Sequence, residues 1–236
     1  MSTKVVFSVL VSVILLAAVG IAVKQEQSIL GRWDLKGRPS AEKKPLAASD
    51  GEKKILNLLD EIAQSENWGV VTLEDSRLLR MLAESTGAKN IVELGTYNGY
   101  STLWFCLALR ATGGKITTHE LDYEYIATAR ENFKKAGVED IVTLVEGDAH
   151  ETVKKLTEPI DILFINADKT GYADYFKMLL PLVHPGGLIL AYHTTDRAAQ
   201  MQDYLTAVTT DPNLDTIFIN PQNAGMSITL KKRKGK

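Results

Sequence analysis

Asn90-Ile-Val-Glu-Leu-Gly-Thr-Tyr-Asn-Gly-Tyr-Ser-Thr102 is the stretch on which the reading of the fold turns. Asn90 to Leu94 is a short, mostly apolar run and reads as a buried strand. The chain breaks at Gly95, crosses a small polar turn to Gly99, and from Ser101 to Leu109 takes an apolar pattern that suits a helix. Strand, glycine turn and helix N-terminus together form a nucleotide-binding corner. Glycines let the backbone approach a ligand, and unpaired helix amides attract negative groups. Glu93 sharpens the reading, because a carboxylate inside a buried strand is costly unless it meets a partner such as a ligand ammonium or hydroxyl.

Outward from this corner the pattern alternates. Before it, Ile55, Leu58, Leu59 and Ile62 make one helical stripe, and Leu78, Leu79, Leu82 and Ala83 another, from about Leu73 to Ser85 behind Thr72 and Asp75 as a capping pair. After it come the strand Lys115–His119 ending at Glu120, and a helix between Asp122 and Gly137. Then follow the strand Ile141–Val145 ending in Gly147-Asp148-Ala149, a short helix, and the strand Ile160–Ile165 ending at Asn166-Ala-Asp-Lys169. A helix from about Tyr172 to Leu182 leads through Pro185-Gly186-Gly187 to the strand Leu188–Tyr192. A last helix, about Asp196 to Val208, precedes the strands Thr216–Ile219 and Met226–Leu230. Repeated strand–helix units imply an α/β fold with a mostly parallel sheet and helices on both faces.

Composition narrows the function classes. Hydrophobic content of 45%, charged content of 24% and a net charge of -2 are those of a globular protein and make no electrostatic case for nucleic acid. Cys106 is the only cysteine, so there is no internal disulfide, and no Cys/His cluster has zinc spacing. Val5 to Val23 runs without a charge between Lys4 and Lys24. Its length spans a bilayer as a helix, and the reading favours an uncleaved membrane anchor over a cleaved signal segment, for which Ala18-Val-Gly20 would serve as the cleavage site. Lys24, Arg32, Lys36 and Arg38 after it put the C-terminal bulk in the cytoplasm by the positive-inside rule; a signal segment would mean a secreted or periplasmic domain. The expected division is 1–24 anchor or signal, 25–51 linker or arm, and 52–236 folded domain.

Ligands bind such sheets beyond the C-terminal strand ends, where the chain order reverses. Those ends carry Gly95 to Gly99, Glu120, Asp148, Asn166 and Asp168, while the strand bodies stay apolar. An acidic residue ending the second strand grips ribose hydroxyls, and Glu120 follows the glycine turn at close to the expected interval of about 20 residues. A nicotinamide dehydrogenase would need Gly-x-Gly-x-x-Gly, whereas Gly95-Thr-Tyr-Asn-Gly99 has two glycines and would crowd a pyrophosphate with Thr96 and Tyr97. A nucleoside without phosphates fits better.

Glu93-Leu-Gly-Thr-Tyr-Asn-Gly-Tyr-Ser101, Glu120, Gly147-Asp-Ala149 and Ala167-Asp-Lys169 resemble the class I S-adenosylmethionine-dependent O-methyltransferases, most nearly the catechol and caffeoyl-CoA branch. The resemblance runs from about Thr72 to Leu230. It implies a Rossmann-like, seven-stranded sheet whose last strand is antiparallel, and S-adenosyl-L-methionine as cofactor. It implies further that Glu93, Gly95, Thr96, Gly99 and Ser101 hold the methionine part and that Tyr97 faces the sulfonium. Glu120 would take the ribose, Asp148 and Ala149 border adenine, Asp168 reach the amino group, and Val71 and Thr72 close the front. Branch members often form homodimers, and the sequence is silent on that.

The pattern breaks where the branch holds a divalent metal. Asn166 stands for an Asp, and Tyr192-His193 for an Asp-Asn pair, so two negative charges are gone. Magnesium prefers hard, charged oxygens, which argues against the metal. Lys169 matches the branch's catalytic lysine. The expectation is that His193 or Lys169 removes the acceptor's proton, with Asn166 and Tyr192 orienting the acceptor; the alternative leaves His193 as a polar rim residue. Trp68, Tyr100, Tyr172 and Tyr192 are candidates for an aromatic acceptor pocket. The leading function is transfer of a methyl group to a small-molecule hydroxyl. N- or S-methyl transfer on the same scaffold, and an inactive cofactor-binding module, remain as alternatives.

Overall fold

The computed structural model describes residues 45–65, 71–220 and 223–235. The candidate anchor, most of the linker and Trp68 lie outside the described residues, and among those described no helix is long and apolar enough to cross a membrane. Leu46–Lys236 forms one compact unit.

Helices α1 (Asp50–Gln64) and α2 (Leu73–Ser85) precede strand β1 (Asn90–Leu94). Then alternate α3 (Tyr100–Thr112), β2 (Lys115–Glu120), α4 (Tyr123–Ala136), β3 (Val142–Glu146), α5 (Ala149–Thr152), β4 (Ile160–Ile165), α6 (Tyr172–Leu179) and β5 (Val183–Tyr192). The chain closes with α7 (Gln202–Thr210), β6 (Leu214–Ile219) and β7 (Met226–Lys231). Local chemistry sets the helix ends. Ser49, Thr72 and Asp122 accept the backbone N–H of Glu52, Asp75 and Glu124 as N-caps, and Gly113 and Gly137 end α3 and α4 in the left-handed conformation.

The seven strands lie in the order β3-β2-β1-β4-β5-β7-β6, parallel except for β7, which is antiparallel to both neighbours. Order reverses between β1 and β4, and that switch point puts the end of Leu94 beside the end of Ile165. Two apolar clusters cover the sheet. One joins α1, α2, α3 and α4 to it through residues such as Ile55, Leu79, Trp104, Phe105 and Phe133; the other joins α6 and α7 through Tyr172, Phe176 and Tyr204. Helix α3 is apolar nearly all round, and every residue from Tyr100 to Leu109 is buried. Such a helix has no solvent face to keep, and each large side chain it buries is worth roughly 1.5–3 kcal/mol.

Element boundaries differ from the sequence reading most notably at three places. Strand β5 begins at Val183, so Pro185-Gly186-Gly187 lies within it; the pairing with β4 shifts register between Ile160 and Ile162, and proline and glycine are tolerated at such a bulge. Helix α6 stops at Leu179 rather than Leu182. The helix expected from Asp196 starts only at Gln202, after a short turn at Ala198–Gln200. The amides of Thr195 and Asp196 bond to the Ala224 carbonyl at 2.9 and 3.3 Å, which ties this segment to the loop before β7.

Candidate active site

The turn after β1 is built by close approach. A side chain at Gly95 (φ 91°) would collide with the backbone carbonyl of Asn166, so only glycine lets the ends of β1 and β4 meet. The amides of Gly95 and Thr96 bond to the His119 carbonyl at 3.0 and 3.2 Å, pinning the turn to β2. Tyr97 sits at φ 52°, a region costly for a side chain other than glycine, and its amide donates to Glu120 Oε2 at 2.8 Å.

Glu93 finds its partners inside the protein. Its carboxylate accepts the hydroxyls of Ser101 (2.5 Å), Thr102 and Thr118 (2.7 Å), and it is fully buried. Burial pushes its pKa up to about 7 against the opposing pull of those three bonds. Three protein hydroxyls thus give this carboxylate the partners a buried strand position demands, and Ser101 has its own hydroxyl committed.

Beyond the ends of β1 to β4 lies a cavity of about 850 Å³. Gly95, Tyr97, Glu120, Asp148, Ala149, Asn166 and Asp168 from the sequence-derived set line it. A recess of about 30 Å³ beside it is bounded by Val71, Thr96 and Ser101, and shares Gly95, Tyr97 and Asn166 with the cavity. Thr72, Glu93, Gly99, Lys169, Tyr192 and His193 line neither. Among the described residues the cavity wall carries the carboxylates of Glu120, Asp122, Glu124, Asp148 and Asp168 and no lysine or arginine. It is therefore complementary to a cationic ligand rather than a phosphorylated one.

The carboxylates are held in place. Glu120 Oε1 accepts the amides of Leu121 and Asp122 at 2.9 and 3.0 Å. Asp148 accepts the His150 amide at 2.8 Å, which lowers its pKa. Asp168 accepts the Tyr175 hydroxyl at 2.5 Å. His119 is buried at the cavity floor, and burial pushes its pKa down to about 4. The Thr152 hydroxyl donates to the Asp148 carbonyl, so the His119 Nδ1, 2.8 Å away, carries the proton toward Thr152. Leu121, Tyr125 and Tyr175 also line the cavity and were missed by sequence reasoning. The Tyr125 ring packs 4.2 Å from that of Tyr97. Leu121, exposed and apolar beside Glu120, was the one legible signal.

A second cluster gathers at the ends of β4 and β5. Lys169 Nζ donates to the Ala167 carbonyl (2.7 Å), the Tyr172 hydroxyl (3.1 Å) and Asn166 Oδ1 (3.4 Å), and burial pushes its pKa down to about 8. Tyr172 in turn donates to the Tyr192 carbonyl at 3.1 Å. The Tyr192 side chain points elsewhere: it is fully buried, and its hydroxyl accepts the Thr72 amide at 3.2 Å. That contact joins the end of β5 to the start of α2 and gives Thr72 its place; burial pushes the Tyr192 hydroxyl up to about 12. His193 stands at φ 65°, with Nδ1 at 2.9 and 3.0 Å from the two oxygens of Asp196. Burial and Lys169 pull its pKa down, and Asp196 pulls it up less strongly.

A divalent cation does not suit these donors. Asn166 offers a neutral oxygen next to an ammonium, Tyr192 is committed and protonated, and His193 offers nitrogen. Among the described residues no three His, Cys, Asp or Glu side chains converge.

A doubly wound sheet with an acidic cavity roomy enough for a nucleoside at its switch point is the architecture of a nucleoside-binding α/β domain. A family model described as O-methyltransferase matches residues 46–196, and the chain belongs to that family. It is 40% identical over 125 residues to a catechol O-methyltransferase of Niastella koreensis, covering 51% of this chain and 56% of that one. To caffeoyl-CoA O-methyltransferase 1 of Eucalyptus globulus it is 34% identical over 145 residues, covering 58% of each. The chain thus spans less than two thirds of the length of these relatives. The fold matches the crystal structure of an O-methyltransferase from Bacillus cereus in complex with SAH, with a TM-score of 0.66, 23% identity, and coverage of 79% of this chain and 93% of that one.

Proposed function

We propose that this protein transfers a methyl group from S-adenosyl-L-methionine to a hydroxyl of a small molecule, without a metal. The observation that carries the reading is the cavity at the switch point, whose carboxylates outnumber any cation among the described residues and which Asn166 joins to Lys169 and, beside it, His193. When bound, the cofactor supplies an electrophilic methyl group on a cationic sulfur. Glu120 accepts the ribose hydroxyls with a carboxylate already oriented by three backbone amides. Asp148 and Ala149 border the adenine, Asp168 accepts from the amino group, and the Tyr97 ring offers its face to the cation. Val71, Gly95, Thr96 and Ser101 shape the methionine recess, while Glu93, Gly99, Thr72 and Tyr192 hold that recess together from behind. His193, neutral near pH 7, or Lys169, with its lowered pKa, accepts the acceptor's proton, and Asn166 orients the acceptor oxygen.

The acceptors in the relatives' names, catechol and caffeoyl-CoA, favour an aromatic hydroxyl here. Calorimetric titration with S-adenosylmethionine and S-adenosylhomocysteine tests the cofactor half, and turnover of both acceptors in EDTA or in Mg²⁺ tests the rest. Binding of both nucleosides and turnover indifferent to EDTA are expected; absence of binding rejects the reading. Residues 1–24 are read as a membrane anchor with the domain on the cytoplasmic side, supported by the charge-free run Val5 to Val23 and the basic residues after it.

A further inference from the structure

We infer that Asp196 is a positioning residue for methyl transfer, which holds His193 in the tautomer whose Nε2 accepts the proton of the acceptor hydroxyl. The inference rests on the methyl-transfer reading and chooses between its two candidate bases. Three observations carry it. Both oxygens of Asp196 lie at hydrogen-bond distance from one ring nitrogen, Nδ1, so the proton of a neutral imidazole sits there and the lone pair on Nε2. His193 keeps a left-handed backbone at φ 65°, a conformation that persists only where its surroundings enforce it. The enforcement is visible: the Arg197 amide bonds back to the His193 carbonyl at 3.2 Å, and the amides of Thr194 and Thr195 bond to the Gly225 and Ala224 carbonyls. The tight turn this makes carries Asp196 under the imidazole instead of into a helix.

Lys169 is a weaker candidate because its ammonium already donates to three protein oxygens. A donor so engaged serves better as a fixed positive charge beside a developing oxyanion. In the step, the acceptor oxygen forms its bond to the methyl carbon as the sulfur–methyl bond breaks, and the hydroxyl proton passes to Nε2. Sulfonium, neutral hydroxyl and neutral imidazole become thioether, methyl ether and imidazolium, so one positive charge moves and none is created. Asp196 stabilises that imidazolium. Among the described residues four groups face His193: Lys169 from the turn after β4, Tyr192 at the end of β5, and Asp196 and Arg197 from its own turn.

The test uses the full chain with catechol and caffeoyl-CoA as probes, and long-range proton–nitrogen NMR of the histidine rings. The expected wild-type state near neutral pH has His193 protonated on Nδ1 and bare on Nε2. Asp196→Asn, which can donate to Nδ1, is expected to move the proton to Nε2 and lower kcat about a hundredfold. KM for the acceptor and the affinity for S-adenosylhomocysteine should stay within about twofold. Loss of the carboxylate should also shift the acid limb of the kcat profile to lower pH, and Asp196→Glu should restore most of kcat. A wild-type His193 protonated on Nε2, or Asp196→Asn with kcat within about threefold of wild type, overturns the proposal. Should Asp196→Asn fail to fold, the wild-type tautomer and Asp196→Glu still decide. A wild-type chain that binds S-adenosylhomocysteine and methylates neither probe defeats the activity reading, and the NMR result then judges Asp196 separately.

Discussion

Two buried residues on the neighbouring strands β1 and β2 pull the stability of this protein in opposite directions with pH. Glu93 has a pKa raised from 4.5 to about 7, so the folded state holds a proton that the unfolded chain has released between those values. Its contribution is complete below pH 4.5 and is lost as pH rises to about 7. His119 has a pKa lowered from 6.5 to about 4, so its contribution is complete above pH 6.5 and is lost as pH falls toward 4. In the shared window the two slopes offset, each amounting to on the order of 3 kcal/mol across its full range. Glu93→Gln should therefore leave a chain whose stability climbs from pH 4.5 to 6.5, and His119→Asn one whose stability declines over the same range. Urea midpoints at the two ends of the window check this. Parallel slopes in both variants would refute it.

At the scale of elements, the contact between β5 and α2 separates structure from chemistry. Tyr192 was a candidate for orienting the acceptor, yet its hydroxyl receives the Thr72 amide at the helix start. Tyr192→Phe leaves that amide without its acceptor, which costs about 1–3 kcal/mol. The expected result is a lower denaturation midpoint with a kcat near wild type at temperatures where the variant is folded. A large loss of kcat at full stability would return Tyr192 to the reaction. Sequence periodicity located almost every element here, because burial of one helix stripe or one strand run is a local pattern. It missed the start of α7, because the turn before that helix is tied to Ala224 in the loop before β7, a contact distant in sequence. It also missed the early start of β5, where a bulge absorbs the proline.

For the molecule as a whole, Leu46–Lys236 is compact and holds every site residue named above. Removing residues 1–45 should release the protein from washed membranes and leave S-adenosylhomocysteine affinity unchanged. A truncated chain that still sediments with membranes would sink the anchor reading, and lost affinity would tie those residues to the site. The alternation of strands and helices, the corner at Gly95 and the acids at successive strand ends were all legible in the sequence. Each depends on residue types at short spacing, and parallel topology brings such ends to one edge without further information. Only the tertiary structure decided which side chains face the ligand and which face one another. Glu93 lies opposite Thr118 in the register of β1 and β2, and that register surrounds its carboxylate with a buried knot of hydroxyls. Tyr192 meets Thr72 and His193 meets Asp196 for the same reason: hydrogen bonds are short and directional, and only the packed chain determines which donors come within reach of which acceptors.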